Sequence, residues 1–283
     1  MTDLNRSVIC EDLSPEQVAH RTVEIGVSKT QYRFGKSFTL AIFAGIFIAF
    51  AVLVSTFVTT NGAEVPYGVG TFLKGLSFSV GLVMVLVAGA ELFTGNNLIL
   101  MAVLQKKVKL SAMLKNLLVV YLGNFVGSLL IALAVIGAKQ YTSGAGEVGR
   151  NLLILAQQKT SLGFTQALIL GIQCNVLVCT AVWMSYTTRM TVGKIAAVFL
   201  PIFAFVASGM EHSVANMFYI PAALLMKLFD PAFVSGAGNF PNLTLEGLFI
   251  GNLLPVTLGN MIGGMLVIAA GYWFVFLRKA DKK

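Results

Sequence analysis

Along this chain, residues 37–63, 116–138, 160–188 and 247–277 carry no Asp, Glu, Lys or Arg, and residues 75–105 and 195–226 carry a single Glu each. Short charged connections separate these six runs. An α-helix rises about 1.5 Å per residue and the hydrocarbon core of a bilayer is about 30 Å thick, so about 20 apolar helical residues cross it. Every run is long enough. Backbone polar groups in lipid must be satisfied within their own segment, which favours helices for runs of this length. The pattern predicts an all-α membrane protein with six transmembrane helices.

Two runs are too long for one straight span. Residues 195–226 begin with sixteen uncharged residues ending at Met210, continue with Glu211 and His212, and run uncharged again to Met226. Residues 75–105 hold sixteen uncharged residues before Glu91 and fourteen after it. Straight helices would carry these ionisable groups to mid-bilayer, where they are costly and mark functional sites. The interruptions read Gly89-Ala90-Glu91-Leu92-Phe93-Thr94-Gly95-Asn96-Asn97 and Ser208-Gly209-Met210-Glu211-His212-Ser213-Val214-Ala215-Asn216. Paired, overlong, glycine-interrupted segments point to a transport site built from two helices broken mid-membrane.

A second mark repeats. Gly123-Asn124-Phe125-Val126-Gly127 in the third run is echoed by Gly259-Asn260-Met261-Ile262-Gly263 in the sixth. Each half thus holds a plain span, a broken span with Glu, and a span with G-N-x-x-G. Three is odd, so the halves must face opposite ways, an inverted 3+3 repeat. The glycines allow close helix approach, and the asparagine amides need partners such as the unpaired backbone of a neighbouring break.

Of the 20 Lys and Arg, fifteen fall on the face that holds both termini and five (Lys74, Lys139, Arg150, Lys159 and Lys227) on the other. The positive-inside rule then makes both termini cytoplasmic. Residues 1–36 are expected to be a cytoplasmic segment with a short amphipathic helix started by Ser14-Pro15-Glu16. Residues 37–278 form the six-helix channel domain, and 279–283 a basic cytoplasmic tail. Ten charges within the first 36 residues are unlike a cleavable signal peptide.

With 57% hydrophobic and 11% charged residues, the chain cannot present a mostly polar surface to water. Its net charge of +8 comes from basic residues at span ends, which argues for a bilayer as partner and against nucleic acid. Cys10, Cys174 and Cys179 form neither C-x-x-C nor a zinc spacing, so no metal or cofactor is expected. One histidine and two separated glutamates supply neither H-E-x-x-H nor a nucleophile motif, which argues against an enzyme.

At the breaks, Glu91 and Glu211 are candidate acceptors for backbone N–H groups freed where a helix stops, caps that hold the break open. His212 is the only group in the six spans that titrates near neutrality, and it is either a satisfied core residue or a proton donor and acceptor. Leu92 and Phe93 are either core packing or a hydrophobic constriction that gates by dewetting.

Several ordered motifs resemble the formate/nitrite transporter family. They are Gly89-Ala90-Glu91-Leu92-Phe93-Thr94-Gly95, Tyr121-Leu122-Gly123-Asn124-Phe125-Val126-Gly127, Cys174-Asn175-Val176-Leu177-Val178-Cys179, the stretch from Ala207 to Met217, and Val256-Thr257-Leu258-Gly259-Asn260. The resemblance implies an aquaporin-like bundle, a homopentamer with one pore per protomer, in the bacterial inner membrane. It implies a channel or proton-coupled carrier for small monovalent anions. Carried over by position, Leu82, Leu92 and Phe93 would form the cytoplasmic slit beside Thr94, and Phe78, Val178 and Phe205 the outer slit. His212 would face the permeating species, supported by Asn175 and Asn260, and Lys159 would draw anions toward the pore. The long connection before residue 247 and the extended N-terminal segment favour formate. Glu91-Leu92-Phe93-Thr94-Gly95 and Cys174-Asn175 read closer to a nitrite channel, and nitrite or hydrosulfide is the alternative substrate. A water or glycerol channel would share the architecture, but paired N-P-A motifs are absent.

Overall fold

The computed structural model describes residues 12–60 and 65–278, so Cys10 and the expected tail 279–283 lie outside the described residues. Ser14 opens α1 (Pro15–Thr30): its hydroxyl accepts from Gln17 N–H, and the Gln17 side chain accepts from Ser14 N–H at 2.9 Å, a capping box as the Ser-Pro pair predicts. Val18, Ala19, Thr22, Val23 and Gly26 bury one face of α1 against the bundle. The helix therefore lies on protein along its length.

The chain continues through α2 (Phe34–Val58), α3 (Tyr67–Ala88), α4 (Phe93–Leu104), α5 (Leu110–Gly137), α6 (Glu147–Thr160), α7 (Phe164–Ser185), α8 (Thr191–Ala207), α9 (Ser213–Phe229), α10 (Pro231–Ala237) and α11 (Gly247–Phe276). No strand occurs among the described residues. Helices α2, α3, α5, α7 and α11 are each long and apolar enough to cross a membrane. Helix α9 passes the same test only together with α10, from which it is bent by 113°. The two overlong runs each divide in two: 75–105 into the end of α3 and α4, and 195–226 into α8 and the start of α9. Helix α3 begins earlier than its uncharged run, so Lys74 lies two turns inside it. Helix α6 occupies what the sequence reads as a loop.

Glycines set the tightest contacts. Gly123 and Gly127 of α5 press on Ala41 and the Ile42 carbonyl of α2, and Gly259 and Gly263 of α11 press on the Leu168 and Ile172 carbonyls of α7. A Cβ at any of them would overlap the facing helix. Helix α9 is buried from Ser213 to Ala223 and packs against α2, α5 and α6, which suits a helix apolar on nearly all sides. Two wide, π-type stretches, Gly247–Leu253 and Ile262–Ala269, interrupt α11, a feature frequent at functional sites.

Candidate functional site: two helix breaks that meet at His212

Both breaks use one local device. Helix α3 ends on Gly89 in the left-handed region (φ 79°), and α8 is followed by Gly209 at φ 70°, conformations glycine adopts without the Cβ penalty. Ala90 N–H then returns to the Val85 carbonyl at 2.8 Å, and Met210 N–H to the Phe205 carbonyl at 3.1 Å. Glu91 N–H bonds the Leu40 carbonyl of α2, and Glu211 N–H the Leu170 carbonyl of α7. Leu92 and His212 are extended, and α4 and α9 start immediately after them.

The G-N-x-x-G asparagines take the freed backbone groups. Asn124 Oδ1 accepts from Phe93 N–H at 2.9 Å while its Nδ2 donates to the Ala41 and Glu91 carbonyls. Asn260 Oδ1 accepts from Ser213 N–H at 2.9 Å while its Nδ2 donates to the Gly171 and Glu211 carbonyls. Glu91 and Glu211, expected to accept those N–H groups, bind side chains instead. Glu91 meets Lys29 Nζ at 3.0 Å and Asn96 Nδ2 at 2.7 Å. Glu211 meets Lys159 Nζ at 2.7 Å and Asn216 Nδ2 at 2.6 Å. Asn116 and Asn252 close the rings: each accepts from the neighbouring Asn96 or Asn216 amide and donates to the carbonyl of the ring's lysine. Buried carboxylates need this density of partners to remain charged. Outside the spans, burial is the largest single influence on the Lys29 ammonium and pulls its pKa down, but the charge and hydrogen bond of Glu91, together with Tyr186 and Tyr32, outweigh it, so the pKa lies above the ordinary lysine value.

Sequence reasoning missed Lys29, Asn96, Asn116, Asn216 and Asn252. The signal was present. Lys29-Thr30 is echoed by Lys159-Thr160, and Asn116-Leu117-Leu118 by Asn252-Leu253-Leu254, each Asn eight residues before its G-N-x-x-G asparagine.

The two breaks meet where Thr94 Oγ1 lies 2.9 Å from His212 Nε2, both side chains being buried. His212 caps α9: its Nδ1 accepts from Ala215 N–H at 3.1 Å. That bond assigns the tautomer, since an acceptor Nδ1 leaves the proton on Nε2, aimed at Thr94. The Thr94 carbonyl is held by Asn97 Nδ2 at 2.9 Å, Asn175 Nδ2 at 3.3 Å and Cys179 Sγ at 3.3 Å. Asn175 also donates to the Asn260 carbonyl at 2.6 Å. Asn175 and Asn260 therefore hold the backbone on which Thr94 and His212 stand.

Phe78, Leu82, Leu92, Val178 and Phe205, with Ile48, Ile202 and His212, enclose one cavity of about 10 Å³. The residues expected to form two slits surround this single small space. Phe93 does not line it; its ring packs edge-on against Tyr121 at 4.9 Å. Phe205 packs against the His212 ring at 5.9 Å and against Phe78 at 5.7 Å. A vestibule of about 390 Å³ shares Phe78, Phe205 and His212 with that cavity and is also lined by Lys74, Lys159 and Glu211. No three His, Cys, Asp or Glu side chains come together to hold a metal ion among the described residues.

Apolar helices of membrane length, folded around a buried polar core that opens into a vestibule, define a membrane transport protein. The chain belongs to the formate/nitrite transporter family, whose family model, described as formate/nitrite transporter, matches residues 16–274. It is 40% identical to the formate channel FocA of Escherichia coli K12 over 274 residues, covering 95% of this chain and 96% of that one. It is 38% identical to the formate channel FocA of Haemophilus influenzae, covering 95% and 96%. The fold is similar to a pentameric formate channel with formate bound, with a TM-score of 0.79 at 38% identity, covering 87% of this chain and 98% of that one. These relatives are channels, not enzymes.

Proposed function

We propose that this chain is a channel for small monovalent weak-acid anions, formate foremost, with passage of the neutral acid linked to His212. In this reading the chain makes six crossings in an inverted 3+3 arrangement, the second and fifth broken mid-membrane; the even number keeps both termini on one side, and the Lys and Arg excess there supports the cytoplasmic side of a bacterial inner membrane. Five copies assemble, as in the pentameric formate channel that the fold resembles, and in this reading each copy has its own passage.

The observation that carries this reading is the His212–Thr94 hydrogen bond beside the apolar cavity. A space of about 10 Å³ takes about one water, too few to hydrate a carboxylate. An unshielded charge near mid-bilayer costs several kcal/mol, so the apolar side chains of Phe78, Phe205, Leu82, Leu92 and Val178 exclude the anion and admit the neutral acid. Formate becomes that acid by taking one proton.

His212 presents Nε2–H through the Thr94 hydroxyl. Charging the ring requires a proton on Nδ1, where Ala215 N–H now points, so each proton transfer opens the first turn of α9 and closes it again. The vestibule, which His212 also lines, delivers an external proton to Nδ1 through water, and the charged ring then gives its Nε2 proton through Thr94 to formate, leaving a neutral imidazole and formic acid. Lys159, fixed on Glu211, keeps a positive group beside the entrance. Glu91 and Glu211 hold the two breaks in shape.

Stopped-flow swelling of proteoliposomes tests the reading with formate, nitrite, hydrosulfide and glycerol in parallel. Formate is expected to enter fastest, and faster as external pH falls. Faster nitrite or hydrosulfide would move the protein to that substrate, and glycerol as the best permeant would end the anion reading.

A further inference from the structure

We infer that Lys74 is the outer recruitment residue of the passage, holding a small carboxylate or other monovalent oxyanion about one helical turn above Phe78; this rests on the anion-channel reading. Tyr67, Thr71, Lys74 and Phe78 of α3 all line the vestibule, spaced four, three and four residues apart as one face of a helix requires. The opposite face, with Val69, Phe72, Leu76 and Val80, is exposed and apolar, as contact with lipid demands. A lysine within a membrane-length helix is costly in hydrocarbon and turns to a partner or a water-filled cavity. Lys74 turns to the cavity. Among the described residues it forms no ion pair.

The other vestibule lysine is differently placed. Lys159 Nζ lies 2.7 Å from Glu211 Oε1 and 5.1 Å from the Tyr219 ring centroid. Among the described residues, the charged side chains lining the vestibule are Lys74, Lys159 and Glu211, two positive and one negative. The pair acts on a distant ion as a dipole, and the uncompensated unit belongs to Lys74. Low-dielectric walls focus the field of a lone ammonium and raise the local concentration of its counter-ion. Gln158 and Gln166 line the same space and offer amide donors to an oxyanion. The anion is gathered at Lys74 and handed toward His212, Phe78 and Phe205, which line both the vestibule and the apolar cavity.

Initial formate uptake into proteoliposomes tests this at an ionic strength of about 0.01 M, where charges act over about 30 Å. At sub-saturating formate, K74Q is expected to slow uptake about three- to tenfold and leave the saturating rate unchanged. K74E is expected to slow it further, K74R to match the unsubstituted protein, and about 0.5 M salt to erase the differences. Uptake indifferent to all three substitutions at low salt overturns the inference. So does a loss that is equal at both salt concentrations and not restored by K74R, which marks packing. If the unsubstituted protein carries no formate, the channel reading fails instead.

Discussion

At the first break the chain reads Glu91-Leu92-Phe93-Thr94, and at the second Glu211-His212-Ser213-Val214. Around both stands the same frame: a left-handed glycine, an asparagine bridging the break, and a ring of Lys, Glu and two Asn. What each frame presents differs. Apolar Leu92 stands where the second break has His212, and polar Thr94 where the second has Val214. Because the polar positions are out of step, Thr94 of one break meets His212 of the other across 2.9 Å. The two frames match, and the residues they present do not.

The helices behind the breaks differ in a complementary way. Asn124 reaches the Ala41 carbonyl on α2, and Asn260 reaches the Gly171 carbonyl on α7. Four residues further on, α2 has Gly45, onto whose carbonyl Ser128 donates, whereas α7 has Asn175 facing Gly264. A Cβ at Gly264 would overlap Asn175 Nδ2, Asn97 and Cys179. Only the second arrangement leaves room for the donors that clamp the Thr94 carbonyl.

The largest expected effect separates the two breaks chemically. His212→Asn keeps a side chain able to cap α9 but removes the titrating group, so proton-linked formate uptake should fall about a hundredfold and lose its pH dependence while the melting temperature changes little. Unchanged uptake and pH profile would reduce His212 to a packing residue. Next come the carboxylates. Glu211→Gln strands Lys159, whose only carboxylate partner among the described residues it is, and should destabilise the detergent-solubilised protein by about 3 kcal/mol in a thermal melt. Glu91→Gln should cost less, since Lys29 Nζ still donates to Asn96 Oδ1 at 2.7 Å. Equal losses would mean that the two rings carry the same load.

Smaller again is Gly264→Ala, expected to cost about 2 kcal/mol by overpacking and to slow formate uptake with it. Ser128→Ala in the other half loses one hydrogen bond, about 1 kcal/mol, without slowing uptake. The smallest effect lies away from both breaks, where Tyr141 Oη donates to Asp230 Oδ2 at 2.8 Å. That bond, with a second from Phe233 N–H to Asp230 Oδ1 at 3.1 Å, holds the Asp230 carboxyl below its usual range. Its contribution to stability is therefore present above the ordinary carboxylate pKa and lost as pH falls through the lowered value. Asp230→Asn should flatten that part of a pH–melting curve.

Much of the fold could be read directly. Uncharged runs marked where helices lie, Ser14 and Pro15 marked the start of α1, and Gly89, Gly209, Glu91 and Glu211 marked where helices stop. Asn124 and Asn260 stood out because an amide in lipid needs a partner. Less could be read of the site. Lys29 looked like an ordinary basic residue of a surface helix, and α6 like a loop, because their importance lies in the distant carboxylates they meet. Phe93 was expected to line the constriction, but an extended residue and the helix turn after it point apart, sending Leu92 to the cavity and Phe93 to Tyr121.

By itself the sequence determined that this protein lives in a membrane, which segments are helical and where two of them stop. Those outcomes follow from solvation, since lipid excludes charge and unpaired backbone at every residue along a segment, whatever the other segments do. Only the tertiary structure decided that Thr94 faces His212, that Lys159 is tied to Glu211 and that Lys74 is not. Hydrogen-bonded contacts form only within about 3 Å, and the helix packing that brings such groups within reach depends on glycines and side-chain shapes throughout the bundle.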